Sequence, residues 1–248
     1  MPRTIASIEA RMGSSRLPGK VLADIGGMAL LSLLVRRLRL ARRLDGIVLA
    51  TSVAPADDAL VAWAKAENVP VHRGSEDDVL ARVVGAQAAM GGEIVVEVCG
   101  DTPLIDPDLV DRAVDTYLAG AGDVVTNTVR PSYPQGCEAQ VFSFADLAAV
   151  EREVRDPAVR EHVSLHFYET PKRYRIAHLE APEAERLPEQ RLQVDYPEDL
   201  ELIRGIHARL SPRHGVGYKL ADIVALLRAD PALAAVNRHC EERAARAT

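Results

Sequence analysis

Residues 9–22 read EARMGSSRLPGKVL, which sets Arg11, Arg16 and Lys20 within ten residues of one another around Gly-Ser-Ser and Pro-Gly. Cations beside glycines form either a solvated basic loop or a phosphate cradle, in which backbone N–H groups and charged side chains converge on one anion. The spacing is not that of a P-loop. Gly13 and Gly19 enclose five residues where GxxxxGK[ST] needs four, and Val21 stands where the magnesium-binding hydroxyl would be. GxGxxG is missing as well. Three cations exceed what a dinucleotide's pyrophosphate usually meets, and they suit a triphosphate whose β and γ groups leave as pyrophosphate.

Transfer of a nucleotidyl group needs charge neutralisation at the α-phosphate, commonly by Mg²⁺ on one or two carboxylates. Asp101 and Asp195 each follow a predicted strand, where the carboxyl edge of a parallel sheet opens toward ligands. Taken singly, an Asp before Thr-Pro or Tyr-Pro is more often a turn former or a helix cap than a catalytic group. Asp106 and Asp108 form a DxD, the metal motif of many glycosyltransferases, but Pro107 between them reads as a first helical residue with Asp106 as its cap. The pair 106/108 is therefore assigned to structure and Asp101 to function.

These groups need a scaffold. β-branched runs at 4–9, 47–51, 69–72, 94–99 and 124–128 predict strands. Between them, apolar residues repeating at three and four predict helices over 28–40, 57–67, 78–90 and 107–118, with Asp57 and Asp106 at N-cap positions. Strand alternating with helix implies an α/β protein with a mostly parallel sheet covered on both faces. Past Asn127 the pattern loosens into a strand at 139–142, a helix from Phe144, a helical stretch over 156–168 and a strand at 174–179. A further strand at 191–194 then leads into a helix at 197–210, and the tail over 219–246 reads as two helices split at Pro231. Glu138 and Gln140 alternate with Ala139 and Val141, which would aim both to one face of a strand. Trp63 and Cys137 read as packing residues, His162 as a structurally satisfied histidine, and Arg82, taken alone, as a surface cation. With no internal repeat, one domain with an inserted or flanking substrate region is the simplest organisation.

Bulk properties narrow the partners. A net charge of -6 over 248 residues and 4% aromatic content argue against nucleic acid and anionic membrane surfaces. Cys99, Cys137 and Cys240 have no paired spacing for disulfides or zinc. No signal-peptide pattern and no run of about 18 apolar residues occurs, so a cytoplasmic location is expected.

The stretch ARMGSSRLPGK resembles the signature loop of the cytidylyltransferases that make CMP-sugars, the group holding the CMP-KDO and CMP-sialate synthetases. The likeness continues in order through RGSEDDVLARV, CGDTPLIDP, YPQGCEAQVFS, REHVSLHFY and VDYPEDLELI, and reaches the tail's LADIVALLRADPALAAVN. It is most marked toward the branch named for spore coat polysaccharide biosynthesis protein F. The resemblance implies a three-layer Rossmann-like nucleotide-diphospho-sugar transferase fold. It places a nucleotidyltransferase domain over 1–210, an acceptor-binding and dimerisation region around 130–180, and a helical extension over 211–248.

Carried onto this chain, the family pattern implies catalytic roles for Arg11, Arg16, Lys20 and Asp101, and Mg²⁺ on Asp101 and Asp195. Nucleotide contacts fall to Ala10, Arg11, Gly13, Ser14, Arg16, Lys20, Gly74, Ser75 and Arg82. The acceptor region takes in Gln135, Glu138, Gln140 and Arg160. The implied partners are CTP, a sugar acceptor and a second copy of the chain. The implied reaction forms a CMP-sugar and pyrophosphate for surface polysaccharide or glycan synthesis. If the sugar is a nonulosonic acid, its carboxylate needs a cation, for which Arg155 and Arg160 are the nominees. A DxD glycosyltransferase would leave Arg16 and Lys20 unexplained, and a nonenzymatic nucleotide-binding protein would leave Asp101 and Asp195 so.

Overall fold

The computed structural model describes residues 2–240. In chain order the strands are β1 (Thr4–Glu9), β2 (Asp24–Ile25), β3 (Met28–Ala29), β4 (Gly46–Ser52), β5 (Val71–Gly74), β6 (Ile94–Cys99), β7 (Val124–Thr126), β8 (Gln140–Ser143) and β9 (Ile176–His178). The α-helices are α1 (Leu30–Leu38), α2 (Asp58–Ala66), α3 (Val79–Met90), α4 (Pro107–Leu118), α5 (Phe144–Glu153), α6 (Pro157–Glu161), α7 (Leu165–Glu169), α8 (Pro197–His214), α9 (Leu220–Ala229) and α10 (Pro231–Ala234). Seven strands form one sheet in the order β5-β4-β1-β6-β8-β7-β9. Only β8 runs antiparallel to its neighbours, so the expected mostly parallel sheet is present.

Alternation along the strands builds a core on each face. Ala6, Ile8, Leu49, Val96 and Val98 pack with apolar residues of α1, α2, α4, α8 and α9. Ile5, Val48, Ala50, Val95 and Phe142 pack with α3, α5 and α6 on the other face, which completes the three layers. The helices of the C-terminal extension share the first core through Leu220, Ile223, Val224, Leu227 and Leu233. Arg37 of α1, fully buried, ties that side together by donating to the carbonyls of Leu104, Ile105, Val216 and Tyr218. No helix among the described residues is long and apolar enough to cross a membrane.

Several sequence expectations need correction. The segment 191–194 is not a strand. Its backbone is shared between two loops, Leu192 N–H donating to the Gln135 carbonyl at 2.7 Å and Val194 N–H to the Asp101 carbonyl at 2.9 Å, so no continuous ladder forms. The helix expected from Met28 begins at Leu30, because Met28 and Ala29 pair with Asp24 and Ile25 in a small hairpin. The 156–168 stretch divides into α6 and α7, and the helix expected to end at 210 runs to His214. The tail prediction is met by α9 and α10 as far as Ala234, and its part beyond 240 lies outside the described residues.

Candidate active site

The loop after β1 is anchored by its own backbone and by a buried carboxylate. Its Met12 carbonyl accepts the amides of Ser14 and Gly19, both at 3.0 Å, and Gly19 has φ +73°, a conformation that disfavours side chains. Ser14 Oγ accepts from Leu17 N–H at 3.3 Å. Asp57 was expected to cap α2, but its carboxylate instead accepts from Met12 N–H at 2.7 Å and from Ser52 N–H and Oγ at 3.1 and 2.5 Å. Burial pushes Asp57 upward, yet these donors outweigh it and hold the carboxyl below its ordinary value. A buried anion thus staples the basic loop to the end of β4.

That loop delivers Lys20 to the end of β6. Lys20, 8% exposed, donates from Nζ to Asp101 Oδ2 at 2.6 Å and to Asp195 Oδ1 at 2.7 Å. Arg16 Nη2 lies 2.6 Å from the same Asp195 oxygen, with its guanidinium 5.3 Å from the Tyr196 ring centroid. Burial alone would lower the Lys20 pKa, but the two carboxylates raise it overall; for Asp195, Lys20 and Arg16 overcome burial and hold it low. Asp101 sits beside Gly100, where a Cβ would stand 2.7 Å from the Ala10 Cβ and 2.8 Å from the Glu9 carbonyl oxygen, so only glycine lets the ends of β1 and β6 close up here.

The donor set fits a divalent cation. It offers two oxygen ligands' worth of carboxylate around a point already held by an ammonium, and Asp101 Oδ1 is buried without a hydrogen-bond partner. Asp195 is aimed by a shell that the sequence reading passed over. Arg191 pairs with it, while Asp199 accepts the amides of Asp195 and Tyr196 at 2.9 and 3.0 Å and the Arg191 Nε at 3.2 Å. Asn237 donates to Asp199 Oδ1 at 2.7 Å and to the Arg191 carbonyl at 3.0 Å, so the C-terminal region reaches the site. The DxxxD spacing at the start of α8 was the available signal; nothing local marked Asn237.

The remaining candidates divide. Ala10 bonds to the Ala50 carbonyl at 3.3 Å and Gly13 lies near Glu76, while Arg11 is partly exposed, 4.0 Å from Glu161. Arg82 is not a surface cation: at 2% exposure it packs across Gly74 and donates to the carbonyls of Ser75 and Glu76 at 2.8 and 3.1 Å, fixing the 74–76 turn. Gln140 enters a polar cluster with Ser164 and Tyr168. Glu138 precedes β8 rather than lying in it, and its carboxylate accepts Gly136 N–H at 2.8 Å. Gln135 contributes backbone to the 190–192 segment and lies 3.5 Å from Gln193. Arg160 is committed to Asp78 and Glu151, and Arg155 to the carbonyls of Glu151 and Val154. His162 is exposed rather than packed. Trp63 donates to Ser32 Oγ at 2.9 Å against the core, and Cys137 is buried. Asp106 caps α4 through Asp108 N–H at 2.7 Å and also accepts Leu220 N–H at 2.5 Å, which makes the DxD a joint between α4 and α9.

Known proteins share this architecture and sequence. The cytidylyltransferase family model matches residues 5–225. The chain is 34% identical over 229 residues to the spore coat polysaccharide biosynthesis protein SpsF of Bacillus subtilis, covering 90% of this chain and 93% of that one. It is 36% identical over 133 residues to the 3-deoxy-manno-octulosonate cytidylyltransferase of Solibacter usitatus, about half of each chain at 52% and 51%. A solved cytidylyltransferase from Leptospira borgpetersenii superposes with a TM-score of 0.88 at 26% identity, over 94% of this chain and 97% of that one. The chain belongs to the cytidylyltransferase family, whose chemistry is CTP-dependent nucleotidyl transfer.

Proposed function

We propose that this protein transfers CMP from CTP to a sugar hydroxyl, with release of pyrophosphate and dependence on Mg²⁺, and that it acts in the cytoplasm as a homodimer. One arrangement carries the assignment: Lys20 bridging Asp101 and Asp195, with Arg16 on Asp195, at the end of the loop that follows β1. Cations and carboxylates that neutralise each other before binding can re-pair with phosphate and metal without new desolvation. Arg16 and Lys20 turn toward the β- and γ-phosphates, and Arg11 adds a third positive charge at the loop's start. Asp101 and Asp195 would hold the Mg²⁺, which when bound neutralises charge at the α-phosphate. Arg82, by fixing the 74–76 turn, sets backbone groups for the base.

The test is pyrophosphate release and thermal stabilisation with each of the four nucleoside triphosphates and Mg²⁺. CTP is expected to raise the melting temperature well above the other three at equal concentration. Equal shifts for all four would remove the cytidylyl assignment.

A further inference from the structure

Cys240 has no partner in the spacing of the cysteines, but the fold gives it two. His239 and Cys240 follow α10, and Glu198 stands in the first turn of α8. One donor atom from each of these three side chains lies within 4.8 Å of the other two, the only such trio of His, Cys and carboxylate groups among the described residues. Glu198 and Cys240 are partly buried and His239 is exposed. A buried anchor brings the trio together. Asn237, 2% exposed, donates to Asp199 Oδ1 and to the Arg191 carbonyl, and its Oδ1 accepts from Gln190 Nε2 at 3.2 Å. The Cys240 N–H then donates to the Asn237 carbonyl at 2.9 Å. The turn over 237–240 is thus fixed to the residues that precede and open α8, and its backbone delivers His239 and Cys240 to Glu198.

The three side chains do not satisfy one another. His239 Nε2 and Glu198 Oε1 are 3.4 Å apart, long against the about 2.7–2.9 Å of a charge-assisted hydrogen bond. Burial, then the charges of Asp199 and Glu198, push the Cys240 thiol above its ordinary value against the pull of Arg191, so that it keeps its proton. A borderline-soft divalent cation supplies what the trio lacks, because it takes thiolate, imidazole and carboxylate together and displaces the thiol proton to solvent. Tetrahedral zinc, with ligands at about 2.0–2.3 Å, sets its donors about 3.3–3.6 Å apart. A contraction of about an ångström, within reach of the rotamers of the exposed His239, closes the three around one ion. The carboxylate pair Asp101 and Asp195 offers oxygen alone and so suits a harder cation.

We propose that Glu198, His239 and Cys240 form a Zn²⁺ site separate from the transfer centre, with three protein ligands and one position left for water. The ion ties the turn after α10 to the first turn of α8. It therefore acts alongside the Asn237–Asp199 hydrogen bond that helps to aim Asp195. Glu198 and His239 are 41 residues apart in the chain, which is why no local spacing announces the site.

Zinc alone is the probe. Reduced, metal-free, untagged full-length protein is titrated with Zn²⁺ by calorimetry in excess Mg²⁺, which competes for sites made of carboxylates only, and with Co²⁺ followed by absorption. The wild type is expected to bind one Zn²⁺ per chain, to melt at a higher temperature with it, and to show a thiolate-to-cobalt charge-transfer band. Cys240→Ser should abolish that band, and Cys240→Ser, His239→Ala and Glu198→Gln should each weaken Zn²⁺ by at least about tenfold. Melting of the metal-free variants verifies that they fold. Asp101→Asn is expected to bind Zn²⁺ as the wild type does. Wild type without stoichiometric binding, a cobalt spectrum without the band, or an affinity that Cys240→Ser or His239→Ala leaves unchanged overturns the proposal. Binding lost in Asp101→Asn and kept in Cys240→Ser overturns it too, by placing the metal at the transfer centre. None of these readouts uses CTP, so their failure leaves the cytidylyl assignment standing.

Discussion

Lys20 acts as the cation between the two site carboxylates. A loop lysine would ordinarily be removable at little cost, but this one lies between two carboxylates, one of them buried. Lys20→Met should therefore lower stability by about 1–3 kcal/mol, since Asp101 loses its cation while Asp195 keeps Arg16 and Arg191. Mg²⁺ should stabilise this variant more than the wild type, because a divalent ion can take the vacated position; thermal melts with and without Mg²⁺ measure both effects. Glu9 gives the opposite kind of dependence. Its folded pKa of about 7 exceeds its ordinary 4.5, so the folded state holds the extra proton and stability falls as pH rises from about 4.5 to 7. Denaturant titrations across this window should show that decline, on the order of 2 kcal/mol, and Glu9→Gln should reduce it, with Glu97, raised by burial like Glu9, keeping the remainder. Asp57 and Asp195, held low, act in the other direction and lose their contribution only as pH drops below 3.8.

At the scale of elements, strand ends and loops aim the residues, and one support arrives from far along the chain. Asn237 touches neither proposed phosphate ligand nor metal ligand, yet it fixes Asp199 and the Arg191 carbonyl, which fix Asp195. Asn237→Ala should cost about 1–3 kcal/mol and lower turnover with little change in CTP affinity, while Asn237→Asp, which keeps size but loses both donors, should behave similarly. Steady-state kinetics beside calorimetry separates these. The strands and helices of the first half were legible because period-2 and period-3.6 patterns alternate cleanly there, and Thr4–Glu9, Ile94–Cys99 and Pro107–Leu118 fall where the sequence puts them. The 191–194 segment was not, since its alternation is that of a strand while its partners are two separate loops. Asp57 misled for a related reason: a cap and a tertiary anchor have the same local signature, and only the position of Met12 and Ser52 decides between them.

Across the whole molecule, three segments remote in sequence meet at one point: the loop after β1, the turn after β6 and the segment before α8. Their order in the chain was readable as motifs, and their types announced phosphate and metal chemistry. What the sequence could not convey was the direct Lys20 bridge, or that the cations nominated for a sugar carboxylate are spent on Asp78, Glu151 and backbone. The account stands on that bridge being the transfer centre, and Asp101→Asn is its sharpest probe, because Asp101 is the less enclosed of the two carboxylates and its Oδ1 awaits a partner. The decisive measurement is pyrophosphate release from CTP by this variant, with folding followed by circular dichroism. Turnover lower by about a hundredfold or more in a protein that melts near the wild-type temperature and still binds CTP is the predicted result. An Asp101→Asn enzyme that releases pyrophosphate at the wild-type rate would contradict it and move the chemistry elsewhere in the fold.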